Sequence, residues 1–108
     1  MEESAFESLA EGTLQRIADA VEDAGGDAEV DFEGGVLAIE IEATGTFLLN
    51  KHAPLQQLWF SSPVSGASHY AWDETKAKWA STRDGGSLLA LLAGELQRTA
   101  GVKPALED

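Results

Sequence analysis

The spacing of apolar residues changes twice along the chain, and this change constrains the fold more than any other feature of the sequence. From Ser4 to about Ala24 the apolar residues recur at intervals of three and four, as on one face of an α-helix. They are Phe6, Leu9, Ala10, Leu14, Ile17 and Val21. Gly25 and Gly26 follow and predict the end of this helix, because glycine adopts the conformations of a helix C-cap without strain.

The next part of the chain alternates apolar and polar residues, which is the pattern of a strand with one buried face. Gly34-Gly35 interrupts this alternation and predicts a hairpin turn. Pro54 and the run SSPVSGAS mark further turns. The predicted strands are about 28–33, 36–42 and 46–50, followed by QQLWFS and by short strands around HYAW and AKWAS.

A second helical pattern follows the strands. Ser87 is a suitable N-cap for LLALLAGELQRTAG, in which Leu88, Leu92 and Leu96 share one face. Strands that follow one another through short turns pair antiparallel, and a helix at each end of the chain can cover one face of their sheet. The sequence therefore predicts an α+β fold. We expect a two-layer α/β sandwich with the N- and C-terminal helices on one face of an antiparallel sheet of about six strands, and the other face open.

The length and charge of the chain exclude several classes of function. A chain of 108 residues fits one domain, residues 1–108. Seven Lys and Arg against 19 Asp and Glu give a net charge of −12, so neither nucleic acid nor an anionic membrane is an expected partner. The absence of cysteine excludes disulfides and thiolate ligands. No apolar segment approaches the roughly 20 residues that span a bilayer, and the first residues do not resemble a signal peptide.

Acidic residues follow one side of the first helix and continue into the first strand; we call them the acidic ridge. They are Glu3, Glu7, Glu11, Asp19, Glu22, Asp23, Asp27, Glu29 and Asp31. No Lys or Arg separates Glu3, Glu7 and Glu11, although like charges four residues apart cost about a few tenths of a kcal/mol per pair. Carboxylate oxygens suit hard or borderline cations, so the ridge is a candidate site for weakly bound ferrous, ferric or other divalent ions. A solvated helix face that binds no metal is the alternative.

The segment from Asn50 to Gly66, NKHAPLQQLWFSSPVSG, contains an aromatic residue among amides and serines. If Leu58 and Phe60 face the helices, the alternation of a strand turns Trp59 towards water, on the side of Gln57. An exposed Trp beside amide side chains is typical of a protein-binding hot spot. A core position for Trp59 is the alternative.

The pattern NKxxPxxQxWxSSPxSG, followed by Tyr70 and Trp72, resembles the signature of the frataxin family, which includes the bacterial homologue CyaY. FESLAEGTL, GGVLAI and DGGSLLALLAGEL resemble the first helix, the hairpin and the final helix of the family in the same order. The resemblance covers nearly the whole chain. It implies an α/β sandwich that acts in iron–sulfur cluster assembly, binds the cysteine desulfurase and scaffold complex, and binds iron weakly through acidic residues.

The resemblance also implies roles for particular residues. The acidic ridge would bind iron, while Asn50, Gln57 and Trp59 would lie on the sheet surface that meets the assembly complex. Lys51 is a further candidate for that surface, or it is a charge on an edge strand. His69 stands where eukaryotic members commonly carry a basic residue, and we expect it to be a surface histidine rather than a metal ligand.

Three functions remain open at this level. The first is a non-catalytic regulatory protein that docks on the desulfurase–scaffold complex. The second is an iron chaperone or store with weak ferroxidase activity, and the third is an acidic adaptor for a basic protein. We expect a cytoplasmic bacterial protein, or a mitochondrial matrix protein if a transit peptide has been removed. We also expect a monomer, with iron-dependent oligomerisation as an open alternative.

Overall fold

Two helices and six strands make up the computed structural model, which describes residues 1–108. In order they are α1 (Glu3–Ala24), β1 (Ala28–Glu33), β2 (Val36–Ile41), β3 (Gly45–His52), β4 (Gln57–Ser62), β5 (Gly66–Asp73), β6 (Lys78–Ser81) and α2 (Leu88–Ala100). Strand β3 continues two residues beyond the predicted 46–50, to Lys51 and His52. The pattern missed this extension because both residues are polar, so the alternation is no longer visible. Neither helix is long and apolar enough to cross a membrane.

The six strands form one antiparallel sheet in which every strand pairs with its neighbours in the sequence, so that β1 and β6 are the edges. The predicted two-layer α+β sandwich is confirmed, with both helices on the same face of this sheet. Because β3 pairs with β2 on one side and β4 on the other, Lys51 is not on an edge strand, and that interpretation of it is wrong.

The core lies between the helices and the inward side of the sheet. Its residues are the apolar stripe of α1, alternate positions of β2, β3 and β4, and one face of α2. Among them are Phe6, Leu14, Ile17, Leu37, Ile39, Phe47, Leu49, Leu58, Phe60, Leu88, Leu92 and Leu96. The prediction that Leu58 and Phe60 face the helices is therefore confirmed.

Trp79 and Trp72 pack in this layer. Trp79 meets Phe6 edge to face at 6.2 Å between ring centroids, and Trp72 meets Trp79 at 5.5 Å. The indole nitrogen of Trp79 donates to Thr13 Oγ1 at 2.9 Å, which satisfies the one polar atom of a buried ring.

Each helix has a defined cap. Glu2 precedes α1, and its carboxylate accepts hydrogen bonds from the hydroxyl and the backbone nitrogen of Ser4. These two hydrogen bonds lower the pKa of Glu2. The predicted N-cap of α2 is confirmed, since Ser87 Oγ accepts from the nitrogen of Ala90 at 3.1 Å. Gly101 ends α2 in the left-handed conformation.

The face of the sheet opposite the helices is uncovered, and we call it the open face. Its residues are those that alternate with the core positions. They include Glu29, Asp31 and Glu33 on β1, Val36, Ala38 and Glu40 on β2, Leu48, Asn50 and His52 on β3, Gln57, Trp59 and Ser61 on β4, and Ala67, His69 and Ala71 on β5. Carboxylates occupy the β1–β2 half of the open face, whereas rings and neutral side chains occupy the middle of the β3–β5 half, with Asp73 at the end of β5.

Candidate metal-binding ridge and docking face

The acidic ridge contains no preformed metal cage. Seven of its nine carboxylates are exposed, and only Glu7 and Glu11 are partly buried. The structure brings no three His, Cys, Asp or Glu side chains into an arrangement that would hold a metal ion. All the potential ligands of the ridge are carboxylate oxygens, which are suitable ligands for a hard cation. In this geometry an ion would be held by one or two carboxylates and by water, which favours weak binding.

Lys51 neutralises part of the ridge. Its Nζ lies 2.7 Å from Glu11 Oε1 and also donates to Glu7 Oε2. These hydrogen bonds, first to Glu11 and then to Glu7, raise the pKa of the Lys51 ammonium above its ordinary value. The expectation of an uncompensated ridge is therefore wrong at Glu7 and Glu11. The sequence did not reveal the compensation because Lys51 is 44 and 40 residues away from these two acids.

The direction of Lys51 follows from its position in β3. Successive side chains of a strand point to opposite faces, so Lys51 points to α1 while Asn50 and His52 point to the open face. Lys51 therefore does not share the open face with Asn50, Gln57 and Trp59, but contacts the acidic ridge at Glu7 and Glu11. Its role in partner binding stays a prediction.

A glycine in the β1–β2 turn makes room for this lysine. Gly35 has a φ of +78°, and a Cβ placed on it would lie 3.1 Å from Lys51 Cε. The backbone nitrogen of Lys51 also donates to the carbonyl oxygen of Gly35 at 3.3 Å. The lysine stem therefore crosses directly over the turn to reach α1, and a side chain at position 35 would push it aside.

The other three predicted partner-binding residues lie together on the open face. Asn50 and Trp59 are direct partners in the β3–β4 ladder, and Trp59 is in turn the partner of His69 on β5. The indole nitrogen of Trp59 donates to Gln57 Oε1 at 2.8 Å. The amide of Gln57 therefore holds the indole in one orientation.

Two histidines cover the faces of the Trp59 indole. His52 stacks on one side at 3.8 Å between centroids and 7° between planes. His69 stacks on the other side at 4.3 Å and 10°. We call His52, Trp59 and His69 the ring stack. Trp59 is only partly exposed as a result, so it offers an edge of the indole to solvent rather than a face.

Sequence reasoning did not connect the histidines with Trp59. His69 was expected only to be a surface histidine. The signal lies in the register, since His69 is directly opposite Trp59 and His52 is directly opposite Gln57. That register becomes readable only when the lengths of the two turns around β4 are known.

A buried carboxylate supports the turn that follows β4. Ser62 Oγ donates to Glu95 Oε1 of α2 at 2.6 Å. The same hydroxyl accepts from the backbone nitrogens of Val64 and Ser65 at 2.9 and 3.1 Å. Ser62 thus joins α2 to the β4–β5 turn, and this supports β4 from the helix side. Glu95 lies seven residues after Leu88 and three after Leu92, on the apolar face of α2, and this spacing was the signal that the sequence analysis did not use.

Comparison with known proteins agrees with the family resemblance. The family described as "Frataxin-like domain" matches residues 1–102. The iron-sulfur cluster assembly protein CyaY of Cupriavidus metallidurans is 35% identical, over 99% of this chain and 97% of that protein. The mitochondrial frataxin homolog of Schizosaccharomyces pombe is 35% identical over 86% of this chain. The chain spans 35% to 62% of the length of the mitochondrial relatives it matches.

Solved structures agree in fold over most or all of the chain. A frataxin from Psychromonas ingrahamii superposes with a TM-score of 0.88 at 26% identity, covering 100% of both chains. A trimeric frataxin from the yeast Saccharomyces cerevisiae, complexed with ferrous iron, superposes with a TM-score of 0.73 at 33% identity, covering 82% of both chains. The match of the family over residues 1–102 and the agreement in fold lead to one conclusion: this chain belongs to the frataxin family.

Proposed function

We propose that this protein acts in iron–sulfur cluster assembly by docking on the cysteine desulfurase–scaffold complex and by binding iron weakly on its acidic ridge. Docking and bound iron together would modulate the delivery of sulfur or iron. The observation that carries the proposal is the ring stack, which presents a fixed aromatic group in the middle of an uncovered sheet. The name of the Cupriavidus metallidurans relative, iron-sulfur cluster assembly protein CyaY, supports iron–sulfur cluster assembly as the process.

The ring stack has the physical properties of a docking anchor. Trp59 is held by a hydrogen bond from its indole nitrogen and by a ring on each face, so it loses little conformational freedom when a partner binds. Tryptophan side chains of this kind dominate the binding energy of many interfaces. Asn50 lies beside the indole and supplies a polar group at the rim.

The acidic ridge supplies the oxygen donors for iron, which is cargo here rather than a resident cofactor. The carboxylates not paired with Lys51 are exposed, and they are Glu3, Asp19, Glu22, Asp23, Asp27, Glu29 and Asp31. The ferrous complex of the yeast relative supports iron as the ion. Other divalent cations that prefer oxygen ligands should compete for the same positions.

Binding of variants to the purified desulfurase–scaffold complex tests the docking. A hot-spot residue contributes about 2 kcal/mol or more, so Trp59→Ala should weaken binding by about 30-fold or more. Asn50→Ala should weaken it less, and Val64→Ala, an exposed apolar residue outside the stack, should leave it unchanged. Trp59→Phe is the control for folding, because it removes the indole but keeps an aromatic ring between the two histidines. Docking is refuted if Trp59→Ala and Asn50→Ala leave both the affinity and the rate of sulfide production unchanged.

The exposed ridge favours a second candidate function, an iron chaperone or store with weak ferroxidase activity. Dedicated di-iron sites hold their metals in a closed set of Glu and His ligands, and no such set is present in residues 1–108. Oxidation of ferrous iron should therefore be slow. The trimeric yeast structures support self-assembly of the chain. Size-exclusion chromatography with and without iron would show whether this protein, which we expect to be a monomer, assembles when iron is added.

Titration with ferrous iron, followed by NMR, tests the ridge itself. We expect broadening confined to α1 and the start of β1. If millimolar iron leaves these resonances unperturbed, the ridge does not bind iron. We propose a location in the bacterial cytoplasm, with the mitochondrial matrix as the alternative, since the relatives include a bacterial protein and mitochondrial proteins.

A further inference from the structure

All the ion pairs of this chain converge on one lysine. The chain has 19 Asp and Glu and seven Lys and Arg, yet only two contacts join a basic side chain to a carboxylate, and Lys51 makes both. Its partners, Glu7 and Glu11, are two of the nine carboxylates of the acidic ridge. The Lys51 side chain is only 23% exposed, so the contact is partly shielded from water. The chain's own cation therefore binds two of the carboxylates that are candidates for metal.

The ammonium of Lys51 occupies the place that a metal bridging Glu7 and Glu11 would need. Its Nζ lies 2.7 Å from Glu11 Oε1 and also donates to Glu7 Oε2, so both carboxylates are turned towards one positive charge. A divalent cation at this point would need the same oxygen atoms as ligands. It can bridge the two carboxylates only after the ammonium has left, so lysine and metal exclude each other here.

The fold holds the lysine in this position. Strand β3 directs Lys51 to α1, and Gly35, which has no Cβ, leaves room for its stem. The hydrogen bonds to Glu11 and Glu7 also raise the pKa of the ammonium, so that it keeps its charge throughout the neutral range. Near neutral pH only a competing cation can therefore free the two carboxylates.

The rest of the ridge has no comparable competitor. Its other seven carboxylates make no ion pair. Arg16 and Lys103 line a cavity beside the second half of α1, but neither pairs with a carboxylate there. No Lys or Arg lines the cavity that contains Asp27 and Glu29. A cation that approaches the ridge therefore meets less competition at the β1 end than at Lys51.

We propose that Lys51 is a built-in competitor that keeps metal from Glu7 and Glu11 and directs it to the other carboxylates of the acidic ridge. This inference rests on the proposed binding of iron by the ridge and adds the regulation of that binding. Lys51 touches no metal itself. It is a specificity-determining residue, because its ammonium decides which carboxylates are available to the metal.

Binding of Mn²⁺ to the full chain, followed by the EPR signal of the free ion, tests the inference. Two exposed ion pairs are equivalent to about 2- to 30-fold in a binding constant, so Lys51→Met should bind Mn²⁺ more tightly by about this factor. Adding Glu7→Gln and Glu11→Gln to Lys51→Met should remove the gain, since the freed carboxylates are then gone. A gain that persists without these two carboxylates would overturn the inference.

Two control variants exclude a general effect of charge or folding. Lys76→Met removes the same charge from an exposed lysine that makes no ion pair, and it should gain less affinity for Mn²⁺ than Lys51→Met does. Lys51→Arg keeps the positive charge at position 51 and should restore binding to the wild-type level. An equal gain in Lys76→Met, or a full gain in Lys51→Arg, would show that competition by the Lys51 ammonium is not the cause.

A matched pair of double variants separates this inference from the function on which it rests. In the wild-type background, Glu7→Gln with Glu11→Gln should weaken Mn²⁺ binding less than Asp27→Asn with Glu29→Gln, although each pair removes two negative charges. If the first pair weakens binding as much as the second, only the inference is refuted. If no form of the chain binds millimolar Mn²⁺, the ridge is not a cation-binding surface, and the proposed function fails together with the inference.

Discussion

Replacement of Lys51 by methionine should destabilise the fold by about 1 kcal/mol at low ionic strength. Methionine keeps the apolar stem that crosses Gly35 but removes the ammonium that contacts Glu7 and Glu11. Each partly exposed ion pair contributes about 0.2–1 kcal/mol. Loss of the ammonium also leaves Glu7 and Glu11 as an uncompensated like-charge pair, which adds about a few tenths of a kcal/mol. For a chain of about 100 residues the sum lowers Tm by about 4–8 °C.

The assay is urea or thermal unfolding of the wild-type chain, Lys51→Met, Glu11→Gln and the double variant. The double-mutant cycle should give a coupling of about 0.5 kcal/mol between Lys51 and Glu11, and this coupling should shrink as added salt screens the charges. Lys76→Met is the matched control, because Lys76 is exposed and makes no ion pair. A coupling of zero at low salt, or equal loss of stability in the Lys76 control, would refute the reasoning.

Three other outcomes follow from the same contacts. Lys51→Met should increase the broadening that a paramagnetic divalent cation such as Mn²⁺ causes in the first half of α1, because Glu7 and Glu11 become free to bind it; unchanged broadening would show that the lysine does not compete with metal. Ser62→Ala should lower the free energy of unfolding in urea by about 1–3 kcal/mol, since it leaves the buried carboxylate of Glu95 without its donor. A smaller loss of stability in Glu95→Gln would show that most of this penalty comes from the charge of the carboxylate. The free energy of unfolding should fall as the pH rises above about 10. Hydrogen bonds to Glu11 and Glu7 raise the pKa of Lys51, and burial raises the pKa of Tyr70, so the unfolded chain releases these protons at lower pH than the folded chain does. Tyr70→Phe should flatten part of this decline in a pH series of unfolding curves.

The helices and strands were predictable because each depends on neighbouring residues. The apolar stripe from Phe6 to Val21 repeats with the period of a helix, and Val30 and Phe32 alternate with acids as in a strand. The end of β3 was not predictable in this way. Lys51 and His52 are both polar, and only pairing with Leu58 and Gln57 of β4 extends the strand to them.

The candidate site was partly predictable for a similar reason. Because side chains alternate along β4, Trp59 points to the face of the sheet away from Leu58 and Phe60, so its presence on the open face followed from the sequence. Its two imidazole neighbours did not follow, because they come from different strands. The pairing of Ser62 with Glu95 is equally long-range, since 33 residues separate them.

The sequence alone therefore determined which segments are helical, which are extended, and which side of each faces the core, because side chains repeat their direction every 3.6 residues in a helix and every two in a strand. Only the tertiary structure decided that Lys51 neutralises Glu7 and Glu11 and that His52 and His69 enclose Trp59. Those contacts depend on the register between strands and on where α1 crosses the sheet. Both result from the packing of the whole core, and no local pattern encodes them.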